Sequence, residues 1–105
     1  MARKNLLTET IEFLDRYNHK PIDVYFVTDG FYSATWNDFS DAARKIDYDS
    51  GYGCVEVFHN LKLVGKDWWI ERHEYDGSEW WEYKTMPKTG LFNPAKVRYL
   101  EKDWD

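Results

Sequence analysis

Between Asn5 and Tyr17 the apolar residues Leu6, Leu7, Ile11, Phe13, Leu14 and Tyr17 project within roughly 160° of arc at helical spacing. That spacing predicts an amphipathic helix with one buried stripe. Asn5 stands where an N-cap side chain accepts an orphan amide. Asn18 and the Lys20-Pro21 step close the helix, because the residue before a proline is pushed out of the helical region. Ahead of it, Met1-Ala2-Arg3-Lys4 reads as an ordinary chain end. Ile22 to Thr35 is rich in β-branched and aromatic residues and is divided by Asp29-Gly30, a favoured two-residue hairpin turn. A second helix follows, with Thr35 as its cap and Asp38 placed three residues on, where a carboxylate meets first-turn amides. Its stripe is Trp36, Phe39, Ala43 and Ile46. Asp49-Ser50-Gly51-Tyr52-Gly53 predicts a loop.

From Cys54 the period changes to two. Cys54 to Val64 reads either as one strand interrupted near Asn60 or as two short strands. The clearest signal is the hairpin Trp68 to Tyr75, Asp76-Gly77, Ser78 to Lys84, in which strand formers flank a second preferred turn dipeptide. Near the C-terminus, Asn93 is a cap and Pro94 a first-turn residue for a short helix carrying Val97, Leu100 and Trp104. About ten residues long, such a helix needs a docking surface to be stable. The elements predict a single α+β domain over residues 1–105. An antiparallel sheet of about five strands packs one face against two to three helices, in the order helix, hairpin, helix, three-stranded meander, short helix.

A two-residue Asp76-Gly77 turn pairs Tyr75 with Ser78. Moving outward it pairs Glu74 with Glu79, His73 with Trp80, Arg72 with Trp81, Glu71 with Glu82, Ile70 with Tyr83 and Trp69 with Lys84. Alternation then sorts the side chains by face. Trp68, Ile70, Trp81 and Tyr83, with Arg72, Glu74 and Glu79 towards the tip, form the face predicted to meet the core. Trp69, Glu71, His73, Tyr75, Trp80, Glu82 and Lys84 form the other, a mixture of rings and acids that an apolar core would not accept. A turn with Gly77 as a left-handed bulge residue would shift the pairing by one and mix the two sets. The first register segregates the apolar residues and is preferred.

Six Trp, eight Tyr and six Phe in 105 residues let a short chain assemble a sufficient core without a staple. Hydrophobic residues at 43% and charged residues at 31% lie in the globular range. Fourteen Lys and Arg against nineteen Asp and Glu leave a net charge of −5, which excludes a double-stranded nucleic-acid binder on bulk charge. Cys54 has no partner for an internal disulfide. With no apolar run long enough to span a bilayer and no signal-peptide core, the expected setting is cytoplasmic and away from membranes. No phosphate loop, zinc spacing, nucleophile elbow or dinucleotide fingerprint is present. The expectation is a non-enzyme without a cofactor.

Between Asp67 and Glu82 lie the acids Asp67, Glu71, Glu74, Asp76, Glu79 and Glu82 and the single base Arg72. Two readings of this focused charge compete. One is a solvated edge hairpin whose acids discourage edge-to-edge pairing. The other is an acidic, aromatic contact surface for a basic protein, formed by Trp69, Glu71, His73, Tyr75, Glu79, Trp80 and Glu82, with opposed carboxylates relieved by an incoming Arg or Lys. A single-stranded nucleic-acid binder stacking bases on Trp69, Trp80 and Tyr75 is the alternative. A metal-dependent hydrolase at Glu71, His73 and Glu82 is a third reading, carried only by the pairing arithmetic. Cys54 with His59 lacks an orienting third group, and Asp47, Asp49 and Ser50-Gly51 resemble a calcium loop only superficially. Tyr52, flanked by glycines, is a secondary contact candidate.

The run from Asp67-Trp68-Trp69 through Tyr75-Asp76-Gly77-Ser78 to Trp80-Trp81-Glu82-Tyr83-Lys84 resembles the paired-tryptophan hairpin of small uncharacterised proteins carried by phages and mobile elements of Gram-positive bacteria. The likeness covers about a fifth of the chain and brings no catalytic residues with it. What it implies is a setting. Small acidic proteins there include inhibitors of host defence, such as anti-CRISPR and anti-restriction proteins, which occupy the basic nucleic-acid groove of a host effector. Arg72 and Lys84 inside the motif depart from a pure DNA mimic.

Overall fold

A computed structural model describes residues 3–49, 57, 59–88 and 90. Strand β1 (Arg3–Asn5) leads directly into helix α1 (Leu6–Arg16). Asn5 caps α1 as expected, its side chain accepting from the Thr8 amide at 3.1 Å. The helix ends where Asn18 adopts a left-handed φ of 64°, the conformation that lets the His19 amide turn back to the Leu14 carbonyl. A helical turn over Pro21–Asp23 then leads to strand β2 (Phe26–Thr28), strand β3 (Ser33–Ala34) and helix α2 (Trp36–Ala43). Thr35 and Asp38 cap α2 reciprocally, each side chain accepting from the other's amide at 3.1 Å.

Two expectations in this half are corrected. The Asp29-Gly30 hairpin closes through four residues, since Thr28 pairs with Ser33. The Asp29 carboxylate takes the place of a tight turn by accepting from the Phe31 and Tyr32 amides, both at 2.8 Å. Those two bonds, the Tyr32 one foremost, hold its carboxyl below the usual range. Arg3 and Lys4, read as part of a plain chain end, join the cap residue Asn5 in a strand that pairs with strand β4 (Asp47–Asp49), whose last residue was assigned to a loop. Arg3 faces Asp49, Lys4 faces Tyr48 and Asn5 faces Asp47. Tyr48 is fully buried and anchors the pair.

Strands β5 (Lys62–Val64), β6 (Trp68–Tyr75) and β7 (Ser78–Thr85) form the expected antiparallel meander. The five-stranded sheet runs in the order β3-β2-β5-β6-β7. Between β5 and β6 the Gly65 amide reaches the Trp68 carbonyl at 2.8 Å. The Trp68 ring lies so close that a Cβ on Gly65 would sit 2.2 Å from it, so only glycine fits the turn. Cys54 to Glu56, the Gly51–Gly53 loop with Tyr52, and the C-terminal helix lie outside the described residues.

One cross-strand row of the sheet, Val27, Leu63, Ile70 and Tyr83, meets the helices. Val27, Leu63, Ile70, Trp68 and Trp81 are buried with Leu6, Phe13 and Leu14 from α1 and Phe39 and Ala43 from α2. Both helices therefore cover one face, and the domain is α+β. Three stripe residues fall short: Ile11 and Tyr17 are each 40% exposed, and Ile46, beyond the end of α2, is 37% exposed. Among the described residues no helix is long and apolar enough to cross a membrane.

Candidate functional site

Asp76 and Gly77 both have positive φ, 52° and 86°, the backbone of a type I′ turn. They fix the β6–β7 register as Tyr75↔Ser78, His73↔Trp80, Glu71↔Glu82 and Trp69↔Lys84, the one preferred from the sequence. Extending the register across β5 and β2 builds the whole outer face. One row is Phe26, Val64, Trp69 and Lys84; the next is Thr28, Lys62, Glu71 and Glu82. His73 and Trp80 follow, then Tyr75 and Ser78 near the tip.

The two carboxylates at the centre of this face are oriented by indoles. Trp69 Nε1 donates to Glu71 Oε1 at 2.7 Å, and Trp80 Nε1 donates to Glu82 Oε2 at 3.0 Å. His73 Nε2 sits between the acids, donating to Glu71 Oε2 at 2.7 Å and lying 3.5 Å from Glu82 Oε1. Lys84 Nζ is 3.4 Å from Glu82 Oε1. Burial pushes the Glu71 carboxyl up, but the Trp69 and His73 bonds and the charges of His73 and Lys62 outweigh it and leave it lowered. Glu82 is lowered chiefly by the Trp80 indole, against partial burial and with help from His73 and Lys84.

A pH dependence follows from these directions. A carboxyl lowered on folding stabilises fully above its unfolded value, near the ordinary 4.5, and that contribution is lost as the pH falls through the lowered folded value. The urea midpoint should therefore fall more steeply below about pH 4.5 in the native chain than in a Glu71→Gln/Glu82→Gln variant. Parallel declines would show that these two acids do not contribute.

Of the residues expected at the contact surface, Trp69, Glu71, His73, Trp80 and Glu82 are brought together, and Tyr75 stands 77% exposed at the tip. Glu79 is a correction. It shares the inner face with Arg72, is 3% exposed, lies 3.0 Å from Arg72 Nη2 and accepts from the Val57 amide at 3.1 Å. Buried there, it cannot meet a partner. The reading also missed Lys62, Val64 and Phe26, whose place on this face depends on how β2 and β5 pair. Among the described residues no three His, Cys, Asp or Glu side chains are arranged to hold a metal ion. In the Glu71, His73, Glu82 group the imidazole nitrogen is occupied by the carboxylates themselves.

Beneath this face the inner side of the hairpin holds a buried ionic cluster. The Arg72 guanidinium lies 4.8 Å from the Trp81 ring and 5.4 Å from the Tyr48 ring. It donates to Tyr48 Oη at 2.9 Å and pairs with Glu9 at 3.5 Å. Tyr48 in turn donates to Glu9; burial, then that carboxylate, push its hydroxyl well above the usual range. Arg72 Nε and Nη1 have no hydrogen-bond partner among the described residues. A cavity of about 410 Å³ is lined by His59, Arg72, His73 and Glu74. With Glu9 and Glu79 both facing the guanidinium, its charge is already matched, and the cluster reads as the hairpin's internal brace.

No protein-family model matches the chain, and no curated protein or solved structure is significantly similar to it.

Proposed function

We propose that the chain is a non-enzymatic binding domain that offers the outer face of its β6–β7 hairpin to a basic protein. The observation that carries this reading is the direct opposition of Glu71 and Glu82, both lowered towards the ionised form and aimed outward by Trp69 and Trp80. Opposed carboxylates repel across a ladder. His73 already bridges the pair, and an Arg or Lys docking over the three adds a further counter-charge, while the indoles supply anchor area at low entropic cost. Glu74 and Asp76, both exposed at the tip, extend the negative field towards the partner.

The partner class comes from the resemblance of the hairpin to phage and mobile-element proteins: a nucleic-acid-binding host protein, such as a CRISPR or restriction effector, whose basic groove the hairpin, acidic at its tip, would block. The alternative, bases stacking on Trp69, Trp80 and Tyr75, draws on Lys62 and Lys84 beside Trp69. It has to place phosphates next to Glu71 and Glu82.

The test compares native and Trp80→Ala proteins as baits in a bacterial lysate, with a parallel titration of fluorescent single-stranded DNA at low salt. The expected result is retention of a nucleic-acid-binding protein. Trp80→Ala should weaken that capture by about 2 kcal/mol or more without unfolding the bait. Micromolar DNA binding by the native chain, with no protein captured, would establish the stacking alternative instead.

A further inference from the structure

Strand β7 is the edge of the five-stranded sheet. The type I′ turn makes Tyr75 and Ser78 a hydrogen-bonded pair, so alternation directs the ladder groups of Ser78, Trp80, Glu82 and Lys84 towards β6. The amides and carbonyls of Trp81, Tyr83 and Thr85 then point away from the sheet. The opposite strand agrees, since Trp68, the partner of Thr85, gives its carbonyl to Gly65 on the other side. Among the described residues no backbone group bonds to this outer row. The strand spans eight residues, Ser78–Thr85, with neither proline nor glycine inside it. Proline is one device that blunts an exposed edge; β7 relies instead on charge, with Glu79 turned inward and Glu82 and Lys84 on the outer face.

We infer that β7 pairs antiparallel with β7 of a second copy of this chain, about a two-fold axis at Tyr83, joining the two sheets edge to edge. The register follows from charge. Side chains on one face must oppose side chains on the same face, so the symmetric registers step by two residues. Centred on Tyr83, Glu82 of each copy faces Lys84 of the other, and Trp81 faces Thr85. One step to one side opposes Glu82 to Glu82; one step to the other opposes Lys84 to Lys84. Glu-Tyr-Lys is therefore self-complementary in one register and repulsive in the two beside it. In the favoured register Met86, 58% exposed, comes over Trp80 of the other copy. Pro87, which has no amide to give, ends the ladder. A cavity of about 460 Å³ beside Trp80 and Trp81 is bounded by α1 and by Arg3–Asn5 of β1.

This pairing shares Trp80, Glu82 and Lys84 with the proposed contact face, and one variant separates the two. Thr85→Pro removes an outward amide that makes no bond to β6 and leaves every outer-face side chain in place. Sedimentation equilibrium at concentrations on the order of 100 µM should give the native chain twice the 12.7 kDa of one copy. Thr85→Pro should return it to a single copy with unchanged circular dichroism. Glu82→Lys should raise the dimer dissociation constant about tenfold or more, and Glu82→Lys/Lys84→Glu should restore it, because the swapped pair is again complementary. A native chain that stays monomeric overturns the inference. So does a dimer indifferent to both Thr85→Pro and Glu82→Lys.

Discussion

Trp81→Ala is expected to lower the unfolding free energy by roughly 3 to 5 kcal/mol, a large share of the 5 to 15 kcal/mol that holds a typical domain folded. Trp81 is 3% exposed, and truncation would leave a cavity between α1 and the sheet. It would also remove the indole donor from which the Thr10 hydroxyl accepts at 3.0 Å and the ring over which Arg72 lies. Its sequence neighbour Trp80 points to the outer face and is half-buried, so Trp80→Ala should cost no more than about 1 kcal/mol. Urea unfolding of the two variants, followed by far-ultraviolet circular dichroism, checks the contrast. A larger loss for Trp80→Ala would mean that the outer face is the better-packed one.

Arg72→Met should be comparably damaging, at roughly 3 to 5 kcal/mol. The change keeps the length and the packing of the side chain but leaves Glu79, whose side chain is 1% exposed, as a buried carboxylate without its cation. Glu9 and Tyr48 lose the same partner. The size of the loss measures the stranded charge rather than the value of the ion pair. Arg72→Met/Glu79→Leu, which removes both charges, is therefore expected to regain most of the lost stability. A double-mutant cycle reads this directly as strong non-additivity. If the double variant is as unstable as the sum of the two single ones, the cluster is held by Glu9 and Tyr48 rather than by Glu79.

The elements legible in the sequence are those whose signals close over a few residues. Asn5 with Thr8 and Thr35 with Asp38 are caps made within one turn of helix, so composition at fixed spacing is enough to place them. The β6–β7 register was equally legible. A one-residue slip would leave Ile70 facing in but turn Trp81 out and Glu82 in, and the type I′ turn admits few residue pairs besides Asp-Gly. At Asp29-Gly30 the same dipeptide misled, because a side chain competed with the backbone. Asp29 bonds the two amides ahead of it and opens the loop to four residues, a choice of nearly equal local energies that the dipeptide does not specify.

What the tertiary structure alone decided involves partners far apart in the chain. β1 and β4 are short and polar and show no periodicity. They pair because Asn5 reaches Asp47, 42 residues on, once α1 and α2 have packed and Tyr48 has somewhere to be buried. Alternation placed Arg72 and Glu79 on the inner face, but their burial as a pair depends on Glu9 and Tyr48, which arrive from other elements to share the charge. The same dependence brings Lys62 and Phe26 onto the outer face and leaves β7 at the sheet edge. Caps and tight turns are set by bonds a few residues long, which the local sequence carries. Strand order, edge exposure and the pairing of buried charge are set by which distant surfaces exclude water together, and only the assembled chain specifies those.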